Sequence, residues 1–240
     1  MFERAHHRRI ARVLEALDAP LLAASGCLFA GGTAMALRFG EYRESVDIDF
    51  LVSDLEGYRA LRQRLTGSEG IAAITRPGAA LTQARELRAD QYGLRTLLAV
   101  DGVDIKFEIV LEARIELEPP GQEDRLCGVC TLTPLDMAAA TLLANSDRWR
   151  DDSVFSRDLI DLAMMAPSRK LRDQALDKAA QAYGASVEAD LHHAVQALRD
   201  RPQRLERCMR ALQMTMPAAP LWQRIRALVP RAKRAPAAGS

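Results

Sequence analysis

The chain has 240 residues, of which 48% are hydrophobic and 27% charged, and its 33 basic and 32 acidic residues nearly cancel. This composition is typical of a globular protein with one large or two small domains, and it excludes disordered and collagen-like chains. No window approaches the roughly 18 apolar residues of a membrane span, and the N-terminus lacks the apolar core of a secretory signal. Four cysteines in such a chain favour a reducing compartment. The sequence therefore predicts a soluble, cytoplasmic protein that does not associate with membranes.

The charge is unevenly distributed along the chain. Residues 196–240 hold ten Lys and Arg against two acids, a net charge of +8, which leaves −7 for residues 1–195 of the total of +1. Such an asymmetry suits a protein that holds metal ions in its acidic part and attracts a polyanion at its basic end. A solvated helix face followed by a basic tail explains it equally well.

The first half of the chain is predicted to mix helices and strands, in the order helix 2–18, strand 26–30, helix 33–39, strand 46–52, helix 54–65 and strands 91–100 and 103–111. The last two strands flank Asp101-Gly102, which is a strong hairpin signal. Thr33 is expected to cap its helix and Gly40 to terminate it.

The second half is predicted to be almost entirely helical, with helices at 135–150, 153–166, 170–183, 186–199, 202–214 and 220–228. A small mixed sheet followed by a helical bundle is the α+β class. We expect an α/β core over residues 1–132, a helical domain over 133–230 and a disordered basic tail over 231–240.

Two acidic residues share one face of the strand Val46–Val52. Asp47 and Asp49 lie on that face, whereas Ile48 and Phe50 point to the core. Residues at this spacing are about 6.5–7 Å apart at Cα, so their carboxylates can converge on divalent cations. A solvated strand face is the alternative, and the acidic pair by itself does not exclude it.

The turn Gly31-Gly32-Thr33 lies between a predicted strand and a predicted helix. Glycines let the backbone approach an anion closely, and a helix start offers free N–H groups and the positive end of a dipole. A plain tight turn is the alternative. Together with the acidic pair one short helix later, the turn favours a triphosphate-binding loop beside its metal ligands.

A third acid is expected on the strand 103–109, in which Asp104, Lys106 and Glu108 share the face opposite the core. Glu108 is favoured as the third metal ligand, and Asp104, closer to the hairpin turn, is the alternative. Lys106 either neutralises a phosphate or pairs with the acids beside it.

The run GGTAMALRFGEYRESVDIDF over residues 31–50, with the strand that carries Glu108, resembles the DNA polymerase β-type nucleotidyltransferase superfamily. Within it, RESVDID over residues 43–49 is similar to the R-x-S-x-D-I-D form of AbiEii/AbiGii-type nucleotidyltransferases, which include type IV toxin–antitoxin toxins and the MenT toxins. Residues 136–148 and 156–162 resemble that family's helical motifs L-x-x-K-L-x-A and R-D-L-x-D-L. The resemblance spans about residues 26–166.

The resemblance implies an enzyme that transfers a nucleoside monophosphate from an NTP to an acceptor hydroxyl and releases pyrophosphate. Its implied acceptor is RNA, with the 3′ end of tRNA known for some members, its cofactor is Mg²⁺ (two ions, with Mn²⁺ as a substitute), and its further partner is a cognate antitoxin. The expected catalytic residues are Asp47, Asp49, Glu108 and Asp158, of which the first three hold the metal. The expected nucleotide-binding residues are Gly31, Gly32, Thr33, Arg43, Ser45 and Lys106.

One departure from the family pattern keeps other functions open. Thr141 stands where the helical motif usually has a lysine that is expected to touch the nucleotide phosphates, so Arg148 or Lys106 would have to compensate. Asp158, Arg157 and Asp161 could instead form an ion-pair set on a helix surface. The alternatives are transfer to a small molecule or a protein, or a degenerate, non-catalytic member that binds RNA or a partner.

Overall fold

The computed structural model describes residues 2–229, so the predicted tail over 231–240 lies outside the described residues. The helices are α1 (Ala5–Ala16), α2 (Ala19–Ala24), α3 (Gly31–Arg38), α4 (Leu55–Leu65), α5 (Pro134–Arg148), α6 (Arg157–Met165), α7 (Arg169–Tyr183), α8 (Ser186–Asp200), α9 (Arg204–Ala211) and α10 (Ala218–Leu228). The strands are β1 (Leu28–Ala30), β2 (Ile48–Val52), β3 (Thr82–Gln83), β4 (Arg88–Ala89), β5 (Gly93–Val100), β6 (Val103–Leu111), β7 (Arg125–Leu126) and β8 (Val129–Cys130). Within residues 2–229, every helix is too short or too polar to cross a membrane.

The main sheet is mixed, with the strand order β1-β2-β6-β5-β3 and with β4 paired to β5. Strands β2 and β6 run parallel, and the other pairs of this sheet are antiparallel. The parallel register places Asp49 directly beside Glu108. The mixed sheet and the helices that follow it confirm the predicted α+β class.

The inner face of the sheet is the apolar core. Phe29, Phe50 and Phe107 stack across β1, β2 and β6, with ring centroids 5.5 and 5.7 Å apart. Ile48 and Ile105 lie on the same face and are also fully buried. The alternation predicted for both strands is confirmed, and it leaves the opposite face free to carry polar side chains.

The C-terminal helices pack against that polar side of the sheet through α3. Helix α3 contacts α5 and α6, while α5 packs on α7 and α8, and α10 packs on α6. One buried apolar cluster runs from α1 through the sheet to α10. The division into domains at residue 132 therefore stays a prediction, since the two parts share a continuous core.

Two predicted helix starts are wrong. Helix α3 begins at Gly31 without a side-chain cap, so Thr33 lies inside the helix and does not cap it. Helix α6 begins later than predicted, because Phe155 and Ser156 adopt left-handed φ angles of 53° and 52° that interrupt the helix before Arg157.

Other differences involve elements too short for a hydrophobic period to show. Helix α2, which was not predicted, has Pro20 in its first turn, where the missing N–H of proline leaves no helical bond unmade. The two-residue strands β3, β4, β7 and β8 were missed as well. Cys127 and Gly128 form the turn of the β7–β8 hairpin, and both have positive φ angles.

Candidate functional site

A cleft of about 290 Å³ is lined by β2, β6 and helices α3, α5 and α6. Nine of the ten residues that the sequence analysis assigned to the site line it: Gly31, Gly32, Arg43, Ser45, Asp47, Asp49, Lys106, Glu108 and Asp158. The tenth, Thr33, is buried, with 1% of its surface exposed. The fold thus places the glycine turn, two strands and a helix of the C-terminal half around one cavity.

The acidic residues Asp47, Asp49 and Glu108 line one cleft beside the parallel strands β2 and β6. Asp49 is the register partner of Glu108, and Asp47 lies two residues before Asp49 on the wall of the same cleft. Burial, reinforced by the negative charges of Asp47 and Glu108, raises the pKa of Asp49 to about 6. A group of carboxylates with this electrostatic cost is one that a bound cation stabilises.

Two cations hold the Glu108 carboxylate: Arg95 Nε lies 2.9 Å from its Oε1, and Lys106 Nζ lies 2.8 Å from its Oε2. Burial by itself lowers the pKa of Lys106, but the bond to Glu108 and the negative charges of Glu108, Asp47 and Asp49 together outweigh burial and raise that pKa above its ordinary value. Among residues 2–229, no three His, Cys, Asp or Glu side chains are grouped closely enough to hold a metal ion as they stand. The oxygen donors suit a hard divalent cation, but Glu108 is paired with Arg95 and Lys106 in this structure, so metal binding here stays a prediction.

The two glycines of the turn make room for charged side chains. Gly31 has a φ of +71°, and a Cβ atom there would lie 2.7 Å from Asp49 Oδ2. A Cβ atom on Gly32 would overlap Arg43 Nη2. Each glycine is therefore required by the close approach of a neighbouring side chain, and contact between the turn and a phosphate stays a prediction.

Thr33 is bonded to the backbone of the acidic segment that contains Asp47. Its hydroxyl donates to the carbonyl oxygen of Asp47 at 2.5 Å and lies 2.8 Å from the Ser45 hydroxyl. Because this hydroxyl is buried and bonded, Thr33 orients the segment that carries Asp47. Its contact with a phosphate stays a prediction.

Arg43 is also a positioning residue. Its side chain is 3% exposed, and its Nε and Nη2 donate to the two carboxylate oxygens of Asp161 on α6, each at 2.6 Å. Its Nη1 donates to the carbonyl oxygen of Glu44 at 2.9 Å, and Tyr42 adds a hydroxyl bond to Asp161 at 2.7 Å. With its donors engaged, Arg43 ties the segment before Asp47 to the helical half. Its contact with a nucleotide stays a prediction.

The same segment is held on its other side by His7 of α1, a residue that the sequence analysis missed. His7 is fully buried; its Nδ1 lies 2.8 Å from Glu41 Oε1, and its Nε2 accepts a bond from the Ser45 N–H at 3.1 Å. Burial lowers the pKa of His7 despite the neighbouring Glu41, which favours the neutral ring that this acceptor role needs. Residues 41–47 are thus anchored from both the N-terminal and the C-terminal parts of the chain.

Helix α5 forms the opposite wall of the cleft. Five residues at helical spacing line it: Met137, Ala140, Thr141, Ala144 and Arg148. The Thr141 hydroxyl donates to the Met137 carbonyl oxygen at 2.7 Å. Arg148 binds Asp158 through two bonds of 2.7 and 2.6 Å, so Asp158 faces the cleft in an orientation set by α5.

Comparison with known proteins agrees with this arrangement. The model of the AbiEii nucleotidyl transferase toxin family of type IV toxin–antitoxin systems matches residues 12–238. The chain belongs to this family. The sequence-based resemblance and the enzyme class are therefore confirmed, and the protein is an AbiEii-type nucleotidyltransferase.

Two solved structures from Helicobacter pylori share the fold of this AbiEii-type protein. One, described as a candidate nucleotidyltransferase, is 16% identical with a TM-score of 0.50, over 95% of this chain and 96% of that one. The other, JHP933, is 15% identical with a TM-score of 0.54, over 95% of this chain and 93% of that one. No curated protein matches the sequence significantly.

Two further cleft residues of the AbiEii-type enzyme, Arg114 and Arg157, were not assigned to the site from the sequence. Arg114 follows β6 outside any recognised motif, so no local signal marks it. Arg157 begins the R-D-L motif of α6, which was a usable signal, but the sequence analysis weighed it as an ion-pair partner on a helix surface. The structure pairs Asp158 with Arg148 instead.

We expect Asp49→Asn to stabilise the metal-free protein above pH 6 by about 1–3 kcal/mol. The folded-state pKa of Asp49 is about 6, above the ordinary value of 3.8, so the fold favours the neutral carboxyl. Stability present near pH 4 is therefore lost as the pH rises through about 6. Urea unfolding with a chelator should give equal stabilities near pH 4 and a gap in favour of Asp49→Asn near pH 8.

The matched control is Asp104→Asn, because Asp104 is an exposed acid on the same side of the sheet. It should leave the free energy of unfolding unchanged at both pH values. Added Mg²⁺ should reduce the difference in unfolding free energy between Asp49→Asn and the wild type, because it stabilises the wild type alone. Equal stability of wild type and Asp49→Asn near pH 8 would contradict the electrostatic cost assigned to this carboxylate.

Proposed function

We propose that this protein transfers a nucleoside monophosphate from an NTP to a hydroxyl of RNA, the 3′ end of tRNA being the acceptor of choice, as the toxin of a type IV toxin–antitoxin system. The observation that carries the proposal is the single cleft in which Asp47, Asp49 and Glu108 lie opposite helices of the C-terminal half. The family supplies the reaction class.

Asp47, Asp49 and Glu108 are the residues proposed to hold Mg²⁺, which Mn²⁺ can replace. Three carboxylates provide the oxygen donors that these cations prefer, and burial together with the charges of Asp47 and Glu108 raises the pKa of Asp49, a cost that a bound cation would offset. Bound there, the metal would neutralise phosphate charge and lower the pKa of the attacking hydroxyl. Lys106, released from Glu108, would then be free to pair with a phosphate.

The remaining work of the protein is positioning. Thr33 and Arg43 hold the acidic segment, as their buried bonds support. Asp158, held by Arg148, is proposed to orient the acceptor hydroxyl and take its proton as the oxygen attacks the α-phosphorus. The bond from the α-phosphorus to the bridging oxygen breaks, and pyrophosphate leaves. Alignment of this kind supplies a large share of the rate in phosphoryl transfer.

The acceptor is proposed to bind along the C-terminal helices, which carry most of the excess positive charge. Exposed arginines occur on α8, α9 and α10 and in the α8–α9 connection: Arg199, Arg201, Arg207, Arg210, Arg224 and Arg226. A surface with several such side chains fits the phosphate backbone of a nucleic acid better than it fits a small neutral acceptor.

Incubation with Mg²⁺ and each α-labelled NTP, with total tRNA and without it, tests the proposal. Label on tRNA supports it. Label on a protein or a small molecule supports the alternative acceptors. The absence of label on any acceptor supports a non-catalytic member, an alternative suggested by Thr141 in place of the family lysine.

We expect the affinity for tRNA to fall at least about 10-fold between 50 and 200 mM salt, since each phosphate contact releases a counterion. Filter binding with labelled tRNA measures this. Replacing Arg207 and Arg210 by Gln should make the slope of log affinity against log salt concentration less steep by about two, because two phosphate contacts are lost. An affinity for tRNA that hardly changes over this range of salt concentration would contradict the proposal that the acceptor binds along the C-terminal helices.

A further inference from the structure

The cleft contains five basic side chains, and four of them already have acidic partners. The cleft-lining cations are Arg43, Lys106, Arg114, Arg148 and Arg157. The first four pair, in that order, with Asp161, Glu108, Glu112 and Asp158. Arg157 makes no ion pair and no side-chain hydrogen bond with any residue in the described range 2–229.

The two residues before Arg157 have backbone conformations that cost free energy. Phe155 and Ser156 both have left-handed φ angles, 53° and 52°, and each non-glycine residue in that region costs about 1–3 kcal/mol. This turn starts α6 at the wall of the cleft, so that Arg157 lines the cavity while Leu159 and Ile160 pack in the core. Arg157 and the acidic residues Asp47, Asp49 and Glu108 line the same cavity.

The facing wall offers no free cation. Of the cleft residues of α5, Thr141 is neutral and its hydroxyl is bonded to its own helix, while Arg148 is bound to Asp158. The acidic face supplies Lys106, which is bound to Glu108. A triphosphate entering the cleft would therefore meet one arginine that does not have to break an ion pair first.

We propose that Arg157 binds the triphosphate of the NTP and is the main protein cation for it. This inference rests on the proposed function of the cleft and adds the residue that recognises the donor. A guanidinium carries a rigid fork of N–H donors that matches phosphate oxygens. The same chemistry could recognise a phosphate of the acceptor RNA, and the experiment distinguishes the two sources.

The test compares Arg157→Gln and Arg157→Lys with the wild type. We expect Arg157→Gln to raise KM for the NTP about 10- to 100-fold. KM for tRNA should stay within about 2-fold of the wild type, because most acceptor contacts are proposed to lie on the C-terminal helices. Arg157→Lys keeps the charge but loses the forked donors of the guanidinium, so its KM for the NTP should lie between those of the wild type and Arg157→Gln. Arg150→Gln is the matched control, since Arg150 is exposed and stacks over Trp149 outside the cleft; it should leave both KM values unchanged.

A second pair of measurements keeps the result independent of turnover. Calorimetric binding of inorganic tripolyphosphate should weaken by the same factor in Arg157→Gln. The double variant Arg157→Gln/Thr141→Lys should recover part of the affinity, because Thr141 faces the same cavity and a lysine there restores a cation.

The possible outcomes separate this inference from the proposed function. Unchanged NTP and tripolyphosphate affinity in Arg157→Gln would overturn the inference, and so would a rise in KM for tRNA alone. A wild type that binds tripolyphosphate through Arg157 but labels no acceptor would leave the inference standing and remove the proposed function.

Discussion

Asp47→Asn is expected to reduce nucleotidyl transfer at least about 10³-fold while leaving the free energy of unfolding nearly unchanged. The variant removes a negative charge at the position where the acidic segment faces the cleft. Its side-chain oxygens make no hydrogen bond to residues 2–229; only its backbone carbonyl does, to Thr33. The amide has almost the same shape as the carboxyl, so packing is retained.

Transfer of labelled NMP to tRNA under single-turnover conditions measures the loss, and urea unfolding measures stability. Asp104→Asn is the control, because it removes the same charge from an exposed position of β6. It should retain activity within about 2-fold. Full transfer by Asp47→Asn, in a folded protein, would remove the acidic group from the mechanism. Lost activity together with lost stability would show that Asp47 acts through the fold.

Arg43→Met is expected to destabilise the fold by about 3–5 kcal/mol. Asp161 is 2% exposed and accepts two bonds from Arg43 and one from Tyr42. Although burial opposes the charge of Arg43, Asp161 raises the pKa of that guanidinium above its ordinary value. Burial raises the pKa of Asp161, and the charge and hydrogen bonds of Arg43 oppose that rise. Removal of the arginine leaves a buried carboxylate without its partner, which is more costly than the pair itself is worth.

The double variant Arg43→Met/Asp161→Leu separates charge from position. Because it removes both charges, we expect it to recover more than half of the lost stability, as buried pairs replaced by apolar residues commonly do. Transfer activity should stay low, since the segment before Asp47 is no longer tied to α6. Arg59→Met, on the exposed face of α4, is the control and should cost less than about 0.5 kcal/mol.

Urea unfolding and the tRNA-labelling assay together decide between the roles. A loss below about 1 kcal/mol for Arg43→Met would contradict the buried-pair argument. A double variant with both stability and activity restored would show that the pair does not position the acidic segment.

The acidic side of the site was predictable because strand geometry is local. The alternation of Ile48, Asp49 and Phe50 determines which side chain faces the core, and the same holds for Phe107, Glu108 and Ile109. The sequence alone did not show that β2 and β6 are neighbours and parallel, since it predicted only that a third acid lies on a nearby strand. The pairing of Asp49 with Glu108 comes from the register of the folded sheet.

The roles of Arg43 and Thr33 were not predictable in this way. Both belong to a run that resembles a nucleotide-binding motif, and both were assigned to the nucleotide. Arg43 instead meets Asp161, 118 residues away in the chain, and His7 meets Ser45, 38 residues away. No periodic pattern in either segment indicates such a partner, because the partner lies in a separately predicted element.

The sequence by itself determined the family, the α+β class, the helical second half and the acidic face, since these depend on short motifs and on hydrophobic periods of two and 3.6 residues. Only the tertiary structure decided which cleft cations among residues 2–229 are held in ion pairs and that Arg157 is not. Whether a charge is paired depends on distances between residues far apart in the chain, and folding alone sets those distances.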